Sequence, residues 1–257
     1  MGYPAPVPYA SVNGIRLHYE EQGTGTPLVL IHGFSGTGGA WAAWVPELAR
    51  TYRVLVPDLR GHGRSTGAPE TIHHDRFADD LVALLDKVGI KRAHFVGHSS
   101  GGMALLFVGS RYPHRVRTLT LVSATLHFDQ HARRVMTQSC EDRAWTPERI
   151  AAVQQRHGET HGPEHWRALR AAFMEFSRDP HELPFLPQDL RSITCPVLVL
   201  HGDRDEFFPV NVPVTMYQSL PQGELCILPA TRHGLPHERP DWSVRIVADF
   251  LARHAGV

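Results

Sequence analysis

The stretch Phe95-Val96-Gly97-His98-Ser99-Ser100-Gly101-Gly102 restricts the fold of this chain more than any other. An apolar run enters a Gly-x-Ser-x-Gly pattern, and a segment of helical character leaves it. Such a reversal is tight: side chains two residues before and after the serine collide, so glycines are needed at both flanks. The strain lifts the serine hydroxyl clear of the sheet. A five-residue pattern also occurs in ordinary glycine-rich loops, so its surroundings must decide whether Ser99 is a nucleophile.

Residues 28–31, 54–56, 94–96, 119–122 and 197–200 are mainly continuous apolar runs, as expected of strands covered on both faces. Helical periodicity fills the segments 40–50, 74–88 and 101–112 between them. In the second of these, Phe77, Leu81, Leu84, Leu85 and Val88 recur at steps of three and four. This alternation predicts an α/β fold with a mostly parallel, doubly wound sheet built from right-handed crossovers. Residues 12–21, turning at Asn13-Gly14, add an antiparallel hairpin at the sheet edge. Ligands of such sheets gather beyond the carboxyl ends of the strands, where Ser99 lies.

The spacing of strands breaks once, between Val122 and Val197. A helical cap is expected over 125–191, inserted between a core of 1–124 and a second core segment of 192–257. Its helices are expected near 128–139, 147–157 and 163–178, with Pro147 and Pro163 placed to begin helices rather than break them. A cap over the strand ends is the natural roof of a pocket. Trp145, Trp166 and Phe173, with Trp41 from the core, are the candidate lining residues, and Met174 and Phe176 could support them. An amphipathic stretch at 214–220 and a short strand at 224–228 follow, and a helix over 241–253 buries Trp242, Ile246, Val247 and Phe250.

Charge narrows the partners. The 26 Lys and Arg balance the 26 Asp and Glu, so no net field points to nucleic acid, an anionic membrane or a strongly charged substrate. The beginning lacks the basic and apolar regions of a secretory signal, no apolar run reaches transmembrane length, and the three scattered cysteines suggest no disulfide framework; the expectation is cytoplasmic. The 18 histidines invite a metal reading, but there is no His-Glu-x-x-His, and Gly162 and Pro163 separate His161 from His165. No metal and no cofactor are expected.

A serine hydroxyl becomes nucleophilic when a base removes its proton, and an acceptor must hold that base in the right tautomer. The chain offers an acid and then a histidine after Ser99. Asp203 and Asp205 both follow the strand at 197–200; Asp203 suits a turn-holding role, and Asp205 lies farther into the loop, where it can reach a histidine. His233, beside Gly234, stands in the loop after the last strand, with His237 as the alternative nearer the final helix. His98 is expected to point away from Ser99 if the strand pleat continues. The backbone N–H groups of Ser100 and of Phe34, in the loop after 28–31, are the candidate oxyanion donors.

Taken together, His32-Gly33-Phe34, the segment 58–65, Gly97-His98-Ser99-Ser100-Gly101-Gly102, Gly202-Asp203-Arg204-Asp205 and His233 resemble the α/β-hydrolase superfamily over nearly the whole chain outside the cap. The resemblance favours Asp205 as the acid. It is similar to the branch with small carboxylesterases, enol-lactone hydrolases, cofactor-free haloperoxidases and carbon–carbon bond hydrolases; the relatives with aspartate at the elbow are set aside by Ser99. It implies a serine hydrolase acting through an acyl-enzyme on a small to medium ester or lactone. Carbon–carbon hydrolysis or perhydrolysis on the same residues, or a ligand receptor with a vestigial triad, are the alternatives. The glycine-rich segment 58–65 lacks the Gly-Lys-Ser/Thr ending of a phosphate loop and reads as scaffold.

Overall fold

A computed structural model describes residues 8–256. Eight strands form one sheet: β1 (Tyr9–Val12), β2 (Ile15–Gln22), β3 (Thr26–Ile31), β4 (Tyr52–Pro57), β5 (Ala93–His98), β6 (Val116–Val122), β7 (Val197–Gly202) and β8 (Gly223–Leu228). Their order is β1-β2-β4-β3-β5-β6-β7-β8. The β1–β2 and β2–β4 pairs are antiparallel and every other pair is parallel. Asn13 and Gly14, at φ 43° and 78°, make the hairpin turn that the sequence marks.

The helices are α1 (Val45–Leu48), α2 (His74–Lys87), α3 (Ser100–Arg111), α4 (Gln130–Ser139), α5 (Pro147–His161), α6 (His165–Arg178), α7 (Asn211–Ser219), α8 (Leu235–Glu238) and α9 (Pro240–Arg253). Successive strand residues feed different cores, which is why the parallel strands are apolar throughout. Phe95 and Val199 join α2 and α3 on one face, whereas Val96, Leu198 and Leu200 join Trp41, Trp44 and α9 on the other. Fully buried rings such as Phe77, Phe95 and Phe250 each contribute on the order of 2–3 kcal/mol.

Two expectations are corrected. The segment 40–50 is not one helix but a 3-10 turn, Gly38–Trp41, followed by the single turn α1. Pro46 has no N–H to give to a preceding turn, so it can stand only in the first turn of a new helix. In α9, Trp242 is 53% exposed, and the buried stripe is Val244, Val247, Phe250 and Leu251, with Ile246 half-buried. The stripe is rotated about a quarter of a turn from the expected face.

Between β6 and β7 the chain makes the helical excursion α4, α5 and α6, in which α6 packs against both others. Asp129 caps α4 by accepting from Ala132 N at 2.8 Å, and Thr146 caps α5 with Pro147 at its first position. The helix α5 runs through Gly158 to His161 and stops at Gly162, whose φ of 84° and ψ of 165° take the chain out of the helix in a positive-φ conformation suited to glycine. A glycine inside a helix costs about 1 kcal/mol against alanine but does not end it.

Strand order puts β4 on one side of β3 and β5 on the other, so the loops leaving β3 and β5 diverge around a crevice. The first loop begins at His32 and Gly33, and the second is the Ser99 turn.

Candidate active site

Ser99 joins β5 directly to α3 at φ 52° and ψ −119°, a conformation that costs a non-glycine residue on the order of 1–3 kcal/mol. Its N–H bonds Val122 O at 2.8 Å, and Met103 N bonds its carbonyl at 2.9 Å, so the strain is held from both sides. The glycines allow the close approach. A Cβ on Gly97 would stand 2.5 Å from Gly101 C, and one on Gly101 would stand 2.5 Å from Ile31 O.

Chain separations of 134 and 28 residues close at one point. Ser99 Oγ lies 2.9 Å from His233 Nε2, and His233 Nδ1 lies 2.8 Å from Asp205 Oδ2. An Nδ1–H donated to Asp205 leaves Nε2 free to accept from the Ser99 hydroxyl. The other Asp205 oxygen accepts the Phe207 and Phe208 N–H groups at 2.9 and 3.0 Å. Burial opposes the Asp205 charge, but the His233 hydrogen bond, the neighbouring histidines and these N–H groups outweigh it and hold the carboxyl below its usual range. Asp203 instead accepts from Thr231 N at 3.1 Å, tying the loop after β8 to the end of β7. His237 lines the cleft without a place in the hydrogen-bonded chain.

His98 does not point away. The strand ends at it and Ser99 leaves the extended conformation, so the pleat does not continue and both side chains reach the cleft. His98 Nε2–H donates to His233 O at 2.9 Å. Burial, with the charge of His233, pushes His98 down to about 3, which keeps the ring neutral.

A cavity of about 290 Å³ opens over Ser99. The core supplies Gly33, Phe34, Ser100 and Met103, while the excursion supplies Phe128, Met136, Trp145 and Phe173. Of the sequence candidates, Trp145 and Phe173 line it. Trp41 does not: its ring is fully buried in the opposite core, edge-on to Trp44 at 4.8 Å. Trp166 sits behind Trp145 at 5.3 Å, and Phe176 is buried within the first core.

The sequence model of the alpha/beta hydrolase fold matches residues 26–171. The 2-hydroxy-6-oxo-2,4-heptadienoate hydrolase of Pseudomonas putida is 30% identical, over 93% of this chain and 94% of that protein. The chain belongs to the α/β-hydrolase family. Among solved structures, this α/β-hydrolase is similar to a thermophilic esterase from Thermogutta terrifontis, with TM-score 0.75 and 26% identity over 96% of this chain and 97% of that one. The enol-lactonase of Burkholderia xenovorans LB400 shares the fold at TM-score 0.76 and 23% identity, over 95% of this chain and all of that one.

In this α/β-hydrolase, histidine rings join the excursion to the core. His157 on α5 donates Nε2–H to Ser35 O at 3.0 Å and accepts Gly63 N–H on Nδ1 at 2.8 Å. His165 on α6 donates to Gly61 O at 2.8 Å. His161 stacks on His165 at 4.1 Å. Among the described residues no group of three or more His, Cys, Asp or Glu is arranged to hold a metal ion. The segment 58–65 is braced by Asp58, which accepts from His18 and from the N–H groups of Gly38 and Arg64.

Sequence reasoning missed His98, Phe207, Phe208, Arg149 and Arg156 near or in the cleft. The arginines are seven residues apart on α5, so helical period places them on one face, a signal present in the sequence.

Proposed function

We propose that this chain is a serine hydrolase that cleaves a small to medium carboxylic ester or lactone through an acyl-enzyme. The reading is carried by the hydrogen-bonded chain Ser99–His233–Asp205 opening into a cavity with apolar walls. Ser99 Oγ attacks the carbonyl carbon while His233 Nε2 takes its proton, and Asp205 holds the imidazole tautomer and balances the imidazolium. The carbonyl oxygen gathers negative charge, which the N–H groups of Phe34 and Ser100 stabilise. His233 then protonates the leaving oxygen, and water, deprotonated by the same nitrogen, releases the acid. The residues of 125–191 act as a cap that fills the cavity roof and limits substrate size.

A second reading, hydrolysis of a carbon–carbon bond next to a ketone, is favoured by the name of the 30% identical relative. There the electron pair of the broken bond leaves on carbon, so the leaving group must be an enol-stabilised carbanion that is protonated in the site.

The test is a panel of p-nitrophenyl esters and lactones beside 2-hydroxy-6-oxo-2,4-heptadienoate, run on wild type and Ser99→Ala. Ester turnover lost in Ser99→Ala, with a fluorophosphonate label mapped to Ser99, supports the first reading. Turnover of the dienoate far above that of every ester replaces it with the second. Labelling elsewhere, or full ester activity in Ser99→Ala, refutes the assignment.

A further inference from the structure

The cavity over Ser99 has a charge inventory of one sign. Among its described lining residues there is no Asp or Glu, whereas Arg149 and Arg156 both enter it from α5. Two of the lining histidines, His98 and His237, are held toward the neutral form. Burial lowers His98 to about 3, and burial with the Arg156 charge lowers His237. The two arginines are in different circumstances. Arg149 is already used: Nη1 donates to Ser139 O at 3.1 Å and Ala144 O at 2.9 Å, and the guanidinium lies 4.2 Å over the Trp145 ring. Arg156 has no hydrogen bond and no ion pair among the described residues.

We propose that Arg156 is a carboxylate-binding group of the cavity, and that the preferred substrate carries an anionic carboxylate remote from its scissile carbonyl. This deepens the serine-hydrolase reading and rests on it for the identity of the reacting end. A guanidinium presents a planar fork of donors that matches a carboxylate in two parallel hydrogen bonds. Left without acceptors in a partly dehydrated cleft it is unfavourable, and a ligand carboxylate relieves that cost. Partial burial beside the cavity lowers the Arg156 pKa from the usual arginine value, although the residue as a whole is exposed. Met103, Phe128, Met136 and Phe173 provide an apolar passage lining the same cavity, which suits a short carbon chain between the two ends. The overall charge balance of the chain conceals this local excess.

The experiment compares p-nitrophenyl half-esters of dicarboxylic acids, from succinic to suberic, with their neutral methyl diesters. It uses wild type, Arg156→Met and Arg156→Lys. Wild type is expected to prefer the best half-ester in kcat/KM by about 10- to 100-fold. Arg156→Met is expected to bring that ratio close to one, mainly through KM of the half-ester, and Arg156→Lys to restore part of it. A wild-type ratio at or below one for every chain length overturns the proposal, as does a ratio unchanged in Arg156→Met. Calorimetric binding of the free diacids separates this failure from failure of the hydrolase reading, because it needs no turnover. Binding weakened about tenfold or more in Arg156→Met supports the subsite whatever Ser99 does; equal dissociation constants in the two proteins overturn it.

Discussion

The histidine that joins α5 to the core makes stability depend on pH in a way that one substitution can isolate. His157 is buried, accepts from Gly63 N and donates to Ser35 O, an arrangement only the neutral ring can make. Burial foremost, with His32, Arg156 and His165 nearby, lowers it from 6.5 to about 4 in the folded protein. The unfolded chain therefore binds a proton at higher pH than the folded one. Stability from the neutral ring is fully present above about pH 6.5 and falls as pH drops toward about 4. A difference of about 2.5 units corresponds to about 3 kcal/mol, of which about 2 is lost by pH 5. His157→Gln keeps a donor and an acceptor but does not titrate. Equilibrium unfolding in urea, from about pH 7.5 to about pH 4.5, is the assay. The variant is expected to be less stable than wild type at the upper end by about 1–2 kcal/mol, from poorer hydrogen-bond geometry. The gap closes as pH falls and reverses near the lower end. Two curves that run parallel across the range would refute the reasoning.

Three further outcomes follow from the same geometry. Asp205→Asn should lower kcat on the best ester by about 10³–10⁴-fold with little change in KM, because the amide favours the wrong imidazole tautomer; stopped assays with active-site titration read it. Gly97→Ala places a Cβ 2.5 Å from backbone atoms of Gly101 and should lower the melting temperature by at least several degrees, measured by calorimetry. His98→Ala removes the donor to His233 O and should slow fluorophosphonate labelling of Ser99 by about tenfold, with unchanged secondary structure by circular dichroism.

The parallel strands were legible because burial on both faces writes them as unbroken apolar runs, and Ser99, Asp205 and His233 because their order follows the sheet. Less legible were features set by local three-dimensional contacts. The break at Pro46 depends on which residue takes the first helical turn, and the orientation of His98 depends on Ser99 leaving the pleat. Trp41 misled because a tryptophan near the mouth of a crossover reads equally as pocket wall or core; packing against Trp44 decides it. Arg156 was legible in principle, since its spacing from Arg149 is helical, but sequence cannot reveal which arginine is already bound to carbonyls.

The hydrogen bond from His157 ends on Ser35 O, in the residue after Phe34, which lines the cavity over Ser99. A ring on the roof thus holds the loop on the floor at the residue after Phe34. Variation in α5 then has two readouts at once: a change that reshapes the roof also bears on the loop that carries Phe34, the oxyanion donor proposed above. Selection on this stretch acts on selectivity and speed as one trait, so libraries randomised in α5 should hold His157 fixed while Arg149 and Arg156 are varied.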